Sequence, residues 1–236
     1  MPLHRLVRPI LLPALALVAA CGGQEPSARA GGAPVAGVLV QGAGPGTAEL
    51  RAGQLAAARG GFESVVRADP ERMDALNDLA VAYRLEGHPE AARQLLDEVV
   101  IRGAPREQQA ALVNLADLYS DDGYLSAAQA HLEAAREIDA GRAEPVYALA
   151  LLADARGDAD AARLAADALR IDPDGAARRF LVFASPEARA HFEALFAEAV
   201  GERAMAQARW RDLRAGRVPV LAQAAQRHLE APGPER

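Results

Sequence analysis

The chemistry to test first lies in residues 37–53, Gly-Val-Leu-Val-Gln-Gly-Ala-Gly-Pro-Gly-Thr-Ala-Glu-Leu-Arg-Ala-Gly. An apolar run entering glycines and then a helix-like stretch is how a chain brings backbone amides up to a pyrophosphate. The spacing fails, because Gly42 and Gly44 would require a third glycine at position 47, which is Thr47. Gly53 and Gly60-Gly61 interrupt the following helix, and no later strands read as a parallel sheet. The nucleotide-cofactor enzyme is therefore the least favoured of the readings. Other chemistries are excluded more simply. All 26 basic residues are arginine, so no phosphate-loop, Schiff-base or general-base lysine exists. His4, His88, His131, His191 and His228 fall one per segment, without paired metal-ligand spacing. Ser27, Ser64, Ser120, Ser126 and Ser185 lie outside any Gly-x-Ser-x-Gly elbow. Asp121-Asp122-Gly123 lacks the alternating acids and closing glutamate of a calcium loop, and reads as a turn. Glu187 and His191, four apart, read as a solvated pair. No catalytic, metal or cofactor-binding residue, and no cofactor, is expected.

One residue remains chemically singular. Cys21 is the sole cysteine, so it has no intramolecular disulfide partner. Ahead of it stand the basic His4, Arg5 and Arg8, an apolar run from Ile10 to Ala20, and small residues at 18–20. Eleven apolar residues are too few for a bilayer span, which takes about 20, and fit a signal-peptide core. Val18-Ala19-Ala20-Cys21 resembles the bacterial lipobox. The resemblance implies a signal peptide over 1–20, cleavage before Cys21 and acylation of Cys21, with several chains giving firm attachment. Gly22 after that cysteine is similar to lipoproteins sent to the outer membrane, facing the periplasm. The formal charge is −6, and −8 once Arg5 and Arg8 are removed. An acidic body argues against nucleic acid or an anionic lipid surface as partner, leaving the lipid to hold the membrane.

From Gly22 to Gly46 there are eight glycines and three prolines, a composition expected to leave 21–46 as a flexible tether. From Thr47 onward apolar residues take helical spacing, broken by single glycines and Asp-Pro steps. Self-comparison reveals a repeat. Leu79, Ala80, Tyr83, Gly87, Ala92 and Leu96 recur as Leu115, Ala116, Tyr119, Gly123, Ala128 and Leu132, each 36 residues on. Gly53, Ala58 and Phe62 precede Gly87, Ala92 and Leu96 by 34, while Leu149, Ala150, Ala153 and Gly157 follow the second unit by 34. Small residues let two antiparallel helices approach, bulky ones fill the flanks, and glycine takes the turn. One such hairpin cannot bury its apolar face alone, but stacked neighbours can.

These residues resemble the tetratricopeptide repeat over about 53–173. Departures are Leu76, Leu112 and Val146 at the position of the usual opening aromatic, and Ala104 and Ala140 at the closing proline. The resemblance implies an all-α fold, a right-handed α-α superhelix over 47–173. It comprises a half unit at 53–70 and units at about 73–106, 109–142 and 143–173. Residues 174–231 are expected to form degenerate helical hairpins that cap the array, and 232–236 a disordered tail. In the family the first helix of each unit lines a concave, partner-binding face. Carried over by position, that face comprises Asn77, Val81 and Arg84, then Asn114, Asp117 and Asp121, then Tyr147, Leu151 and Asp154. With one cation among these nine, a clamp for an acidic tail is not reproduced. The expected function is a lipid-anchored scaffold for unknown protein or peptide partners, without catalysis or a small-molecule substrate. The alternative is an accessory regulator of a cell-wall, secretion or pilus complex.

Overall fold

A computed structural model of the protein describes residues 32–41 and 44–231. The expected signal peptide over 1–20, Cys21, the first part of the expected tether to residue 31 and the expected tail at 232–236 lie outside the described residues. A first short helix, α1 (Thr47–Arg51), leads into α2 (Leu55–Ala68). Three hairpins follow: α3 (Met73–Leu85) with α4 (Pro89–Arg102), α5 (Pro105–Asp121) with α6 (Leu125–Ile138), and α7 (Glu144–Arg156) with α8 (Ala161–Ile171). A 3-10 turn at Ala177–Phe180 precedes α9 (Pro186–Ala199), α10 (Arg203–Arg214) and α11 (Pro219–Glu230). Two short strands, β1 (Gly37–Val38) and β2 (Leu181–Val182), pair antiparallel.

Local chemistry sets the boundaries. Proline occupies the first turn of α4, α5, α7, α9 and α11, where its missing amide hydrogen is not needed. Ser185 caps α9 by accepting from the Ala188 amide at 3.1 Å. Inside each hairpin the turn needs a left-handed residue. Gly87 and Gly123, at φ of 86° and 84°, supply it, and the next amide bonds back to Tyr83 or Tyr119.

The recurring alanines sit where helices cross. Ala58, Ala92, Ala128 and Ala165 on the second helices, and Ala80, Ala116 and Ala150 on the first, are all fully buried. The two helix sets differ in burial. α6 buries one stripe of Ala128, Leu132 and Ala135, whereas α7 buries every residue from Glu144 to Ala155. A first helix facing an open groove would keep an exposed stripe. Here both sides are covered, and two unexpected pieces of chain supply the cover.

The first piece is residues 32–41. These residues do not form the flexible tether expected of their composition: Ala33, Val35, Ala36, Val38, Leu39 and Val40 are all buried. Leu39 joins the core around Phe62 and Leu76, while Val38 and Val40 join that around Val113 and Tyr147, the alternation of a strand with two covered faces. The second piece is C-terminal: α11 packs back on α7, besides its neighbour α10, and so covers the inner side of the array as well as ending it. Since Leu132 is fully buried and Ile101 is 79% exposed, Leu132→Ala should cost about 2–5 kcal/mol and Ile101→Ala within about 0.5 kcal/mol, read from urea midpoints at constant slope.

Candidate peptide-binding groove

The groove runs along α3 and α5, where Asn77, Asp78, Arg106, Asn114 and Ser120 bond the main chain of residues 33–41. Val38 is held at both ends. Its amide donates to Asn114 Oδ1 at 2.7 Å, and its carbonyl accepts from Asn114 Nδ2 at 2.9 Å and Asn77 Nδ2 at 3.0 Å. Asn114 thus uses the donor and the acceptor of its side chain on a single residue. Asn114 Nδ2 also donates to Asn77 Oδ1, which fixes the two amides against each other. One strand step on, Asp78 accepts from the Val40 amide at 2.8 Å and the Gln41 amide at 3.0 Å. Arg106 donates to the Val40 carbonyl at 2.9 Å, and Ser120 Oγ donates to the Ala33 carbonyl. From the opposite side Leu39 donates its amide to the Phe180 carbonyl at 2.9 Å. Every bond in this set would form equally with another sequence of the same backbone path.

Side-chain identity is read at the two glycines. A Cβ on Gly37 would lie 3.2 Å from Asn114 Oδ1 and 3.4 Å from Asp117 Oδ2. A Cβ on Gly32 would lie 2.5 Å from the Asp121 carbonyl oxygen, which no side chain tolerates. Beneath Gly37, the buried Asp117 sits 2.9 Å from Arg84, which also reaches Asp121 at 2.6 Å. Val81 lines the wall beside them. Burial raises the Asp78 carboxyl to about 7, against the Val40 and Asn77 hydrogen bonds that favour its charged form. Burial likewise raises Asp117, although Arg84 opposes the shift.

The third unit behaves differently. Tyr147, Leu151 and Asp154 are buried against the C-terminal helices, and the expected continuous partner face is replaced there by intramolecular packing. The Tyr147 hydroxyl donates to Asp172 at 2.9 Å and accepts from Arg178 at 3.1 Å, and its ring packs on Phe192 and Phe196. Asp154 lies between two imidazoles, with His191 Nε2 and His228 Nε2 each at 2.7 Å. His228 reaches on to Glu198 at 2.9 Å and stacks on Trp210, whose indole donates to Glu198 at 2.8 Å. Burial opposes the charged form of His228, but Asp154 and Glu198 prevail and raise it to about 9. Burial also opposes the charged form of Asp154, yet the two histidines hold it below the usual carboxylate range. His228 is therefore an imidazolium locking α11 onto α7. Among the described residues no group of three or more His, Cys, Asp or Glu side chains is placed to hold a metal ion. No helix among them is long and apolar enough to cross a membrane.

Six of the nine positions taken from the resemblance, Asn77, Val81, Arg84, Asn114, Asp117 and Asp121, surround the docked segment. Asp78, Arg106 and Ser120 were missed, as was the pairing of His191 and His228 through Asp154. The apolar Val35, Val38, Leu39 and Val40 inside a glycine-rich stretch were the available signal for docking.

Two measurements test this geometry. Asn114→Ala leaves the Val38 amide without its acceptor and should cost about 1–3 kcal/mol, with hydrogen exchange at Val38 accelerating far more than at Val99. The pH dependence has a definite sign. His228 is raised from 6.5, so its contribution is complete below 6.5 and lost as pH rises through about 9. Asp78 and Asp117, also raised, bind protons more tightly in the fold, so their cost grows as pH climbs from the ordinary 3.8 through about 7. The melting temperature should therefore be higher at about pH 6.5 than at about pH 9.5, and His228→Gln should flatten the alkaline part of that fall.

Comparison with known proteins bears on the repeats. Residues 49–116 match the family model of the tetratricopeptide repeat. Two crystal structures of MamA are similar to the chain. One is 18% identical, covering 79% of this chain and 97% of that one at a TM-score of 0.44. The other is 21% identical, covering 80% and 94% at a TM-score of 0.43. No curated protein matches. The family match falls on the hairpins already described, from α1 into α5, so residues 49–116 are similar to tetratricopeptide repeats in sequence as well as in the order of their helices.

Proposed function

We propose that the protein is a lipid-anchored scaffold of a bacterial envelope membrane, attached through Cys21 and holding partner proteins on the periplasmic side. Tetratricopeptide repeats are protein-interaction modules, which sets the general function. The observation that carries the reading is the clamp of Asn77, Asn114 and Asp78. These side chains hold an extended backbone by its amides and carbonyls. Their work on the described chain is binding, with no bond made or broken. The anchor rests on the basic region, apolar run and small residues ahead of Cys21, and Gly22 favours the outer membrane.

In a Gram-negative host, the full-length protein should incorporate an alkyne-tagged fatty acid and fractionate with the envelope. Cys21→Ala should lose the label and move to the soluble fraction. Crosslinking in intact cells should capture partner proteins, and Asn77→Ala with Asn114→Ala should lose them while the helical circular dichroism persists. Retention of Cys21→Ala in the membrane would overturn the anchor. Undiminished capture by the folded double variant would overturn the groove.

A further inference from the structure

The groove is filled by the chain itself, and this bears on how a partner gains access. We propose that residues 33–41 are a displaceable internal occupant of the groove. The partner strand they stand in for is extended, with glycine at the Gly37 position and β-branched residues at the Val38 and Val40 positions. The inference rests on the reading above that this groove is the partner site.

Three observations support it. First, the segment is bound as a ligand is bound: side chains of α3 and α5 take the main chain of Val38, Val40 and Gln41. Such bonds transfer to any strand following the same path, as in strand addition to an exposed sheet edge. Second, the fit is tight at one point, because a Cβ on Gly37 would stand 3.2 Å from Asn114 Oδ1, the atom that accepts from the Val38 amide, so a branched side chain there would push that acceptor out of place. Val38 and Val40 meanwhile enter an apolar wall with Ala110, Val113 and Ala116. Third, the hairpins contact one another directly, α3 with α5 and α5 with α7, so the repeat stack does not depend on the segment for its continuity. Docking also confines the Asp78 and Asp117 carboxylates away from water, a cost that opposes occupancy and that leaving would relieve. The tether adds a high local concentration to the hydrogen bonds and apolar contacts that hold the strand.

The test cuts the tether and asks for exchange. A site-specific protease sequence is inserted between Ala43 and Gly44 of the full chain, and the protein is cleaved after folding. A fluorescent decapeptide identical to residues 32–41 is then added, with a Gly37→Val version as control. The cleaved protein should exchange its own segment and raise the anisotropy of the labelled peptide. The uncut chain, and the Gly37→Val peptide, should each bind at least about ten-fold more weakly, a difference of about 1.4 kcal/mol. Uncut Gly37→Val protein, its internal strand expelled, should bind the unaltered peptide as cleaved protein does. Equal binding by cut and uncut unaltered chains would overturn the proposal, as would a folded cleaved protein that exchanges nothing. Loss of helical signal on cleavage would make the segment an inseparable part of the core. Dimers that form on cleavage and ignore added peptide would assign the groove to a second copy. Failure of exchange with Asn114-dependent crosslinks intact rejects displacement alone, whereas loss of both rejects the scaffold reading.

Discussion

Along α3 and α5 the inner side of the repeats is organised by the need to satisfy the main-chain polar groups of one buried strand. Residues 33–41 leave water on both faces, and each unpaired amide or carbonyl there would cost about 1–3 kcal/mol. A sheet would pair them with another strand. Here β2 contributes only Leu181 and Val182, the Phe180 carbonyl before it accepts from the Leu39 amide, and the other partners described above are side chains. Asn114 and Asn77 replace one neighbouring strand around Val38, and Asp78 replaces the next pair of acceptors. The positions of these residues on α3 and α5 are consequently tied to each other through the strand. α3 and α5 are therefore held at a spacing set by the strand as well as by helix packing.

The far end of the array achieves cover by another route. α11 returns along α7 and brings His228 to Asp154, while Arg227 donates to the Asp154 and Ala155 carbonyls at the C-terminal end of α7. A cation at a helix C-terminus interacts favourably with its dipole, and a Cβ at Gly157, where the hairpin turns, would meet the Arg227 guanidinium carbon at 3.2 Å. The array therefore ends in charge-assisted contacts rather than in a simple polar face. His191 takes part at a price: its Nδ1 is buried without a partner.

The repeat itself was legible in the sequence because its signals are local. Gly87 and Gly123 each mark a left-handed turn, and Ala92 with Ala128 each mark a helix crossing, so spacing alone reveals the hairpins. The docked strand was not legible for an equally physical reason. Gly and Pro content describes how little a segment can bury by itself, whereas Val35, Val38, Leu39 and Val40 bury against helices far along the chain. Asp78 escaped because it contacts Val40 and Gln41 beside the residue held by its neighbour Asn77. Position in a repeat identifies the inner face but not where a strand will cross it. Asp154, expected on the partner face, is instead buried against the C-terminal helices, and its partners His191 and His228 lie 37 and 74 residues away, beyond any local pattern.

The docked strand also sets a length. With Cys21 as the proposed anchor, eleven residue steps separate it from Gly32 while the strand is seated, a reach of at most about 40 Å at about 3.6 Å per residue. With the strand out, twenty-six steps separate Cys21 from Thr47, a reach of at most about 94 Å. Occupancy of a groove between two helices would thereby set how far from the bilayer the whole repeat array can stand, so that a partner entering the groove would also gain the protein a longer radius of search.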